Sequence, residues 1–400
     1  MAARRKVLLI TPRFPFPSLS GGEKWVAALA GGLAPDYEVS LFAFTNPGEE
    51  AHQTALAMSL EGKVFKKIFL LPRPAGRTNR HLPALPGMYW SPEAAAGLSD
   101  ASRETGADIA HILFSEMACY EAALPAALPV IYTEIDSSYL YPWKSFLRET
   151  AGFKGFFKIG EFLKSRAYAR RHYGRFAAAT FITKSDGRDI KPYLKTNLTA
   201  ATPNAVFPED FTSSASLSRK PGEILFLGHY PHYPNEDAAL TLARRILPLV
   251  KARFPDACLN LAGSCPTPPV KALECQHIKV PGTVQDIRPF LWRAEIFAAP
   301  VRYGLGTKGK ILEAFAAGLP VIASREAAAG VEGAEPGRHL LAASGDADFA
   351  RQTCRLLSKP GLRENLAANA AELVRSQYSF GEVIKSIASL YEKALRNETN

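Results

Sequence analysis

The chain has 400 residues, more than the roughly 250–300 at which one hydrophobic core stops growing, so two domains are the simplest division. With 47% hydrophobic and 22% charged residues it reads as a folded globular protein, and no run reaches the ~18–20 apolar residues of a membrane-spanning helix. The formal net charge of +10 asks for an anionic partner: nucleic acid, a membrane surface or a phosphorylated small molecule.

Residues 6–11 (KVLLIT) are a short apolar run closed by Pro12 and followed, after a loop carrying Gly21 and Gly22, by the helical pattern GEKWVAALAGGL. Strand-like runs recur as EVSLFAF, KIFLL, DIAHIL, LPVIYTE and AATFIT, with helical patterns between most of them. Near-continuously apolar strands alternating with helices predict a parallel sheet covered on both faces. A Pro- and Ser-containing stretch at residues 203–221 then separates a second series, EILFLG, ACLNLAG, HIKVPG, EIFAAP and PVIAS. Each half is therefore expected to be a doubly wound sheet. The last run, FGEVIKSIASLYEKALRN from Phe380, spaces Val383, Ile384, Ile387, Leu390, Tyr391 and Leu395 as one helical stripe.

Two features of the opening and the cysteines bear on location. MAARRK shows no signal-peptide pattern, and five cysteines without a C-x-x-C pair argue against a disulfide framework. A cytoplasmic chain is expected.

Residues 300–324, PVRYGLGTKGKILEAFAAGLPVIAS, concentrate the chemistry. A strand ends at Pro300, a loop holds Gly304 and Gly306, Thr307 is placed to cap a helix, and Gly318 stops it. Loop glycines let a ligand approach the backbone, and the N–H groups of a first helical turn bind anions. Lys308 and Lys310 oppose the helix dipole there and are unfavourable without an anion. Glu313, one turn deeper on the same face, is placed to accept hydrogen bonds from ribose hydroxyls. The alternative is that the glycines serve only the turn and that Lys310 and Glu313 pair on a solvated face.

The run GTKGKILEAFAAGLPVIAS resembles the donor-site signature of the retaining GT-B glycosyltransferases, a family that includes glycogen synthases and many bacterial cell-envelope sugar transferases. ILFLGHYPHYPNEDAALTLARRILPLVKARFPDACLNLAGSCPTPPVKAL resembles the start of that family's C-terminal domain. VPGTVQDIRPFLWRAEIFAAPVRYGLGTKGKILEA resembles its continuation, most closely in the exopolysaccharide-type subgroup, so the resemblance is collinear over about residues 222–380. In the first half TPRFPFPSLSGGEKWVAAL resembles the family's first strand and glycine loop, DIAHILFSE the segment carrying a histidine near the reacting sugar, and ATPNAVFPEDF the interdomain hinge.

The resemblance implies an α/β GT-B fold, with two doubly wound Rossmann-like domains facing across a cleft. Residues 1–205 would be the acceptor-side domain, 206–378 the nucleotide-sugar donor domain, and 379–400 a C-terminal helix crossing back to the first domain. It implies donor binding by Gly21, Gly22, Gly304, Leu305, Gly306, Thr307, Lys308 and Glu313, and catalytic roles for His111, Lys310 and Arg302. Glu134 and Asp136, in YTEIDSS, sit at a strand's carboxyl end and are acceptor-side candidates, with helix capping as the other reading. His111 has its own alternative, a satisfied histidine in a buried strand.

Two departures stand out. Many family members carry a glutamate eight positions before Glu313, where this chain has Leu305; that puts the donor sugar in doubt more than nucleotide binding. The loop after ILFLG offers only His229 and His232 where relatives place an arginine and a lysine, so Arg302, Lys308 and Lys310 are the expected substitutes.

Glycosyl transfer needs a neutralised leaving diphosphate, a positioned acceptor hydroxyl and stabilisation of an oxocarbenium-like centre. Helix N-termini and basic side chains would serve the first need, and no cluster has metal-ligand spacing, so no metal and no cofactor are expected beyond the nucleotide-diphosphate sugar itself. Residues 143–176 carry nine Lys/Arg against two Glu, interleaved with aromatics. They read either as a peripheral contact with anionic membrane, reaching a lipid-linked acceptor, or as a half-buried helix with a solvated basic face. A saccharide or lipid-linked acceptor is expected, and no nucleic-acid motif is present. A dinucleotide-dependent oxidoreductase would need a compact G-x-G-x-x-G after the first strand, and PRFPFPSLSGG is not one. The remaining rival is a non-catalytic GT-B-like binding protein.

Overall fold

The computed structural model describes residues 4–18, 21–76, 79–135, 137–140, 155–212, 218–302 and 309–396, with the side chains of 138–139 and 155–158 excepted. The chain divides into two units, Met1–Pro203 with Val383–Asn400, and Asn204–Glu382.

The first unit is built on seven strands: β1 (Arg5–Thr11), β2 (Tyr37–Thr45), β3 (Ile68–Pro72), β4 (Ile109–Leu113), β5 (Val130–Glu134), β6 (Ala178–Phe181) and β7 (Thr199–Ala201). All pairings are parallel, in the order β3-β2-β1-β4-β5-β6-β7. The cause is visible in the sequence: β1, β2, β4 and β5 are buried almost end to end because helices cover both faces. Helix α1 (Gly21–Leu33) returns from the end of β1, and α2 (Gly155–His172) precedes β6.

The second unit carries six parallel strands in the order β10-β9-β8-β11-β12-β13. They are β8 (Glu223–His229), β9 (Cys258–Ser264), β10 (Ile278–Lys279), β11 (Ile296–Ala299), β12 (Val321–Ser324) and β13 (Leu341–Ala343). Helix α3 (Tyr233–Thr241) follows β8, and α4 (Gly309–Ala316) follows β11. Strands β7 and β13 are additions to the expected set. Each is a three-residue edge strand, TAA or LAA, too short to show an apolar run.

The final helix, α5 (Phe380–Leu395), belongs to the first unit from Val383 onward. Its stripe of Val383, Ile387, Leu390, Tyr391 and Ala394 is buried. Gly32 on α1 is a close approach: a Cβ there would lie 1.8 Å from the end of the Ile384 side chain, so a larger residue requires that side chain to shift.

Candidate functional site

In the second sheet β8 and β11 are neighbours although three connections separate them in sequence, and the strand order reverses there. Ligands of open parallel sheets bind outside the carboxyl ends at such a switch point. Three of the expected residues gather there. Helix α4 buries Ile311, Leu312, Ala314 and Phe315, which leaves Lys310 and Glu313 on its other face, both half-buried and one turn apart. Arg219 fixes the far end of this helix, donating to the carbonyls of Ala317 and Gly318 and to those of Leu291 and Ala294. Such carbonyls lack partners inside a helix, and a cation is favoured beside them.

Arg302 and Lys310 differ in their partners. Arg302 donates through Nε and Nη2 to the Asp237 carboxylate, at 2.8 to 3.3 Å, and through Nη2 to Thr241, both on α3. These contacts tie the exit of β11 to α3. The ammonium of Lys310 instead donates to the neutral Oδ1 of Asn235 at 2.6 Å and lies 4.5 Å above the Phe226 ring centroid. Gly304, Leu305, Gly306, Thr307 and Lys308 lie outside the described residues, as does Asp136.

The first unit treats its candidates differently. Gly21 opens α1 with nothing within 4 Å of its would-be Cβ, whereas a Cβ on Gly22 would meet the Phe114 ring at 2.9 Å. A Cβ on Gly22 would thus press on the tip of the Phe114 ring, whereas Gly21 has room for one. His111 is 0% exposed in β4. Its Nδ1 lies 2.6 Å from the Tyr391 hydroxyl and its Nε2 2.6 Å from that of Thr133. These contacts match the alternative reading, a satisfied histidine in a buried strand: both ring nitrogens have partners inside the core, and burial pushes the imidazole pKa down to about 3. The hydrogen bonds continue from Thr133 to Thr180 and from Thr180 to Thr202, all 0% exposed.

Thr202 donates to Thr180. Glu134 closes β5 and is also 0% exposed, with its Oε2 2.9 Å from the Tyr132 hydroxyl and 3.2 Å from that of Tyr173.

Of the stretch 143–176, residues 143–154 lie outside the described residues. Helix α2 is half-buried: Tyr168 donates to the Ser115 carbonyl and Arg166 to the Tyr193 hydroxyl. Its outer stripe exposes Ile159 (56%), Leu163 (60%), Ala167 and Arg170.

The residues that sequence reasoning missed are Asn235, Phe226 and Arg219. Only Asn235 carried a readable sign, as a polar residue in the loop-to-helix passage after β8.

Residues 221–359 match the family described as "Glycosyl transferases group 1". A phosphatidyl-myo-inositol mannosyltransferase from Mycobacterium leprae is 30% identical over 200 residues, covering 48% of this chain and 52% of that protein. The chain thus spans about half the length of the curated relative it matches. Among solved structures, HepE of Anabaena in complex with UDP superposes with a TM-score of 0.68 at 13% identity, covering 97% of this chain and 100% of that one. Sucrose-phosphate synthase from Thermosynechococcus elongatus gives 0.65 at 16%, covering 98% and 100%. These likenesses are of fold. They agree with the two parallel sheets described above.

Proposed function

Because the chain carries a group 1 glycosyl transferase domain within the GT-B fold, we propose that it moves a sugar from a nucleotide-diphosphate donor to a hydroxyl acceptor. The observation that carries this is Lys310. A cation in the first turn of α4 opposes the helix dipole, and the Asn235 amide and the Phe226 ring hold this one at the β8/β11 switch point. That arrangement is reasonable where a diphosphate arrives. Glu313, on the same face, would accept the ribose hydroxyls, and the backbone of residues 304–307 would approach the phosphates and sugar.

The departing diphosphate would be stabilised by Lys310, by Lys308 and by the N–H groups that open α4, acting where charge develops as the glycosidic bond breaks. With those cations supplied by the protein, transfer is expected without a metal. Retention of anomeric configuration and the acceptor role of the first unit follow the family resemblance. A glycolipid-type acceptor accords with the relative's name, and a cytoplasmic location and a polysaccharide-type acceptor follow the sequence reading and the family resemblance. The exposed stripe of Ile159, Leu163 and Arg170 on α2 would let the protein rest on anionic lipid. Among the described residues no helix is long and apolar enough to cross a membrane.

The test is a screen of nucleotide sugars (UDP-, GDP-, ADP- and dTDP-linked hexoses) with membrane extract as acceptor and EDTA present, following release of nucleoside diphosphate. Release from one donor, lost in Lys310→Ala, supports the reading. No release from any donor, or release undiminished by the substitution, overturns it.

A further inference from the structure

Lys310 does not hold its position by its own packing. Its amine is the end of a flexible chain on a half-buried helical position, and in the described structure its place is set by groups on two other elements. Asn235 lies on α3 and is 91% buried. Its amide is oriented from both ends, because Nδ2 donates to the His229 carbonyl at 2.8 Å and so Oδ1 points to the Lys310 ammonium. The passage from β8 into α3 is shaped to admit this side chain. A Cβ on Gly228 would sit 3.1 Å from the Asn235 Cβ and 3.2 Å from the Tyr230 ring. Gly263, with φ +135, brings β9 so close that a Cβ there would overlap the Gly228 carbonyl oxygen at 2.0 Å. The glycines at the ends of β8 and β9 thus let the chain fold Asn235 back over the strand end.

An aspartate at this position would accept from Lys310 equally well, and Asp237 two residues on does this for Arg302. The neutral amide has a different consequence: it fixes the ammonium without forming an ion pair that competes with an incoming anion. We propose that Asn235 is a positioning residue which, with the Phe226 ring, holds Lys310 charged and aimed at the diphosphate of the donor. This rests on the nucleotide-sugar reading of the same site.

The experiment is a double-substitution cycle read by calorimetric titration of UDP, GDP and ADP into the full chain, using whichever binds the unsubstituted protein. Asn235→Ala is expected to weaken binding about fivefold to tenfold on its own and less than twofold in the Lys310→Ala background, because its effect passes through the ammonium. Asn235→Asp is expected to weaken binding more than Asn235→Ala, by pairing with Lys310 and repelling the diphosphate. A residue that only supports the fold would lower binding equally in both backgrounds and tolerate Asp at least as well as Ala; either result overturns the proposal. Should Asn235→Ala fail to melt cooperatively, Asn235→Ser carries the same cycle. If Lys310→Ala weakens binding but Asn235→Ala does not, the inference falls and the donor site stands. If no nucleotide binds the unsubstituted protein, both fall.

Discussion

Polar residues near the strand ends meet opposite fates in the two sheets. In the first, His111 and Glu134 are wholly buried and bonded to neighbouring side chains. In the second, Arg302, Lys310 and Glu313 stay half-buried at the surface. The difference is one of position along the strand. His111 is the third residue of β4, with Ile112 and Leu113 still to follow, and Glu134 is the last residue of β5. Arg302 and Lys310 come after β11 has ended. A residue inside the ladder shares the burial of both faces, whatever its chemistry, whereas one past the last ladder bond is free to meet a ligand.

The sharpest way to break this comparison is to cut the two sets separately. His111→Ala removes a core ring and strands the hydroxyls of Tyr391 and Thr133, so a loss of about 3 kcal/mol in urea-denaturation stability is expected, with nucleotide binding of the folded protein unchanged. Glu313→Ala should do the reverse: roughly tenfold weaker nucleotide binding, or about 1.4 kcal/mol, with melting within about 0.5 kcal/mol of the parent. Loss of binding in the first variant, or of folding in the second, would blur the distinction.

Acid offers a third cut. The folded-state pKa of His111 is depressed to about 3, so below the ordinary value near 6.5 the unfolded chain takes up a proton that the folded chain refuses. Its contribution to stability is complete above that value and declines as pH falls toward 3, by at most roughly 1.4 kcal/mol per pH unit. Denaturation of the parent and of His111→Gln between pH 7 and 4 should show the parent losing stability more steeply; parallel curves would contradict the buried neutral ring. The smallest effect is expected from Asp237→Asn, which weakens a half-exposed fork to Arg302 and should cost roughly 0.5–1 kcal/mol of stability.

Much of the architecture was legible because parallel strands buried on both faces leave continuous apolar runs, such as KVLLIT and EILFLG. Edge strands β7 and β13 were not, since three small residues carry no period. At the site, the Lys310–Glu313 spacing stood out because one helical turn sets it. Asn235 escaped because its role depends on Lys310, 75 residues away. The surroundings of His111 were hidden for the same reason. Its partner Tyr391 is 280 residues distant, although the two apolar residues after it already placed it inside the strand.

The most direct measurement is calorimetric titration of nucleoside diphosphates, in chelator, into the parent, Lys310→Ala and His111→Gln. The account predicts micromolar binding of one nucleotide to the parent and to the folded His111 variant, weakened at least tenfold in Lys310→Ala. Absence of binding to the parent, or equal affinity in Lys310→Ala, would contradict it.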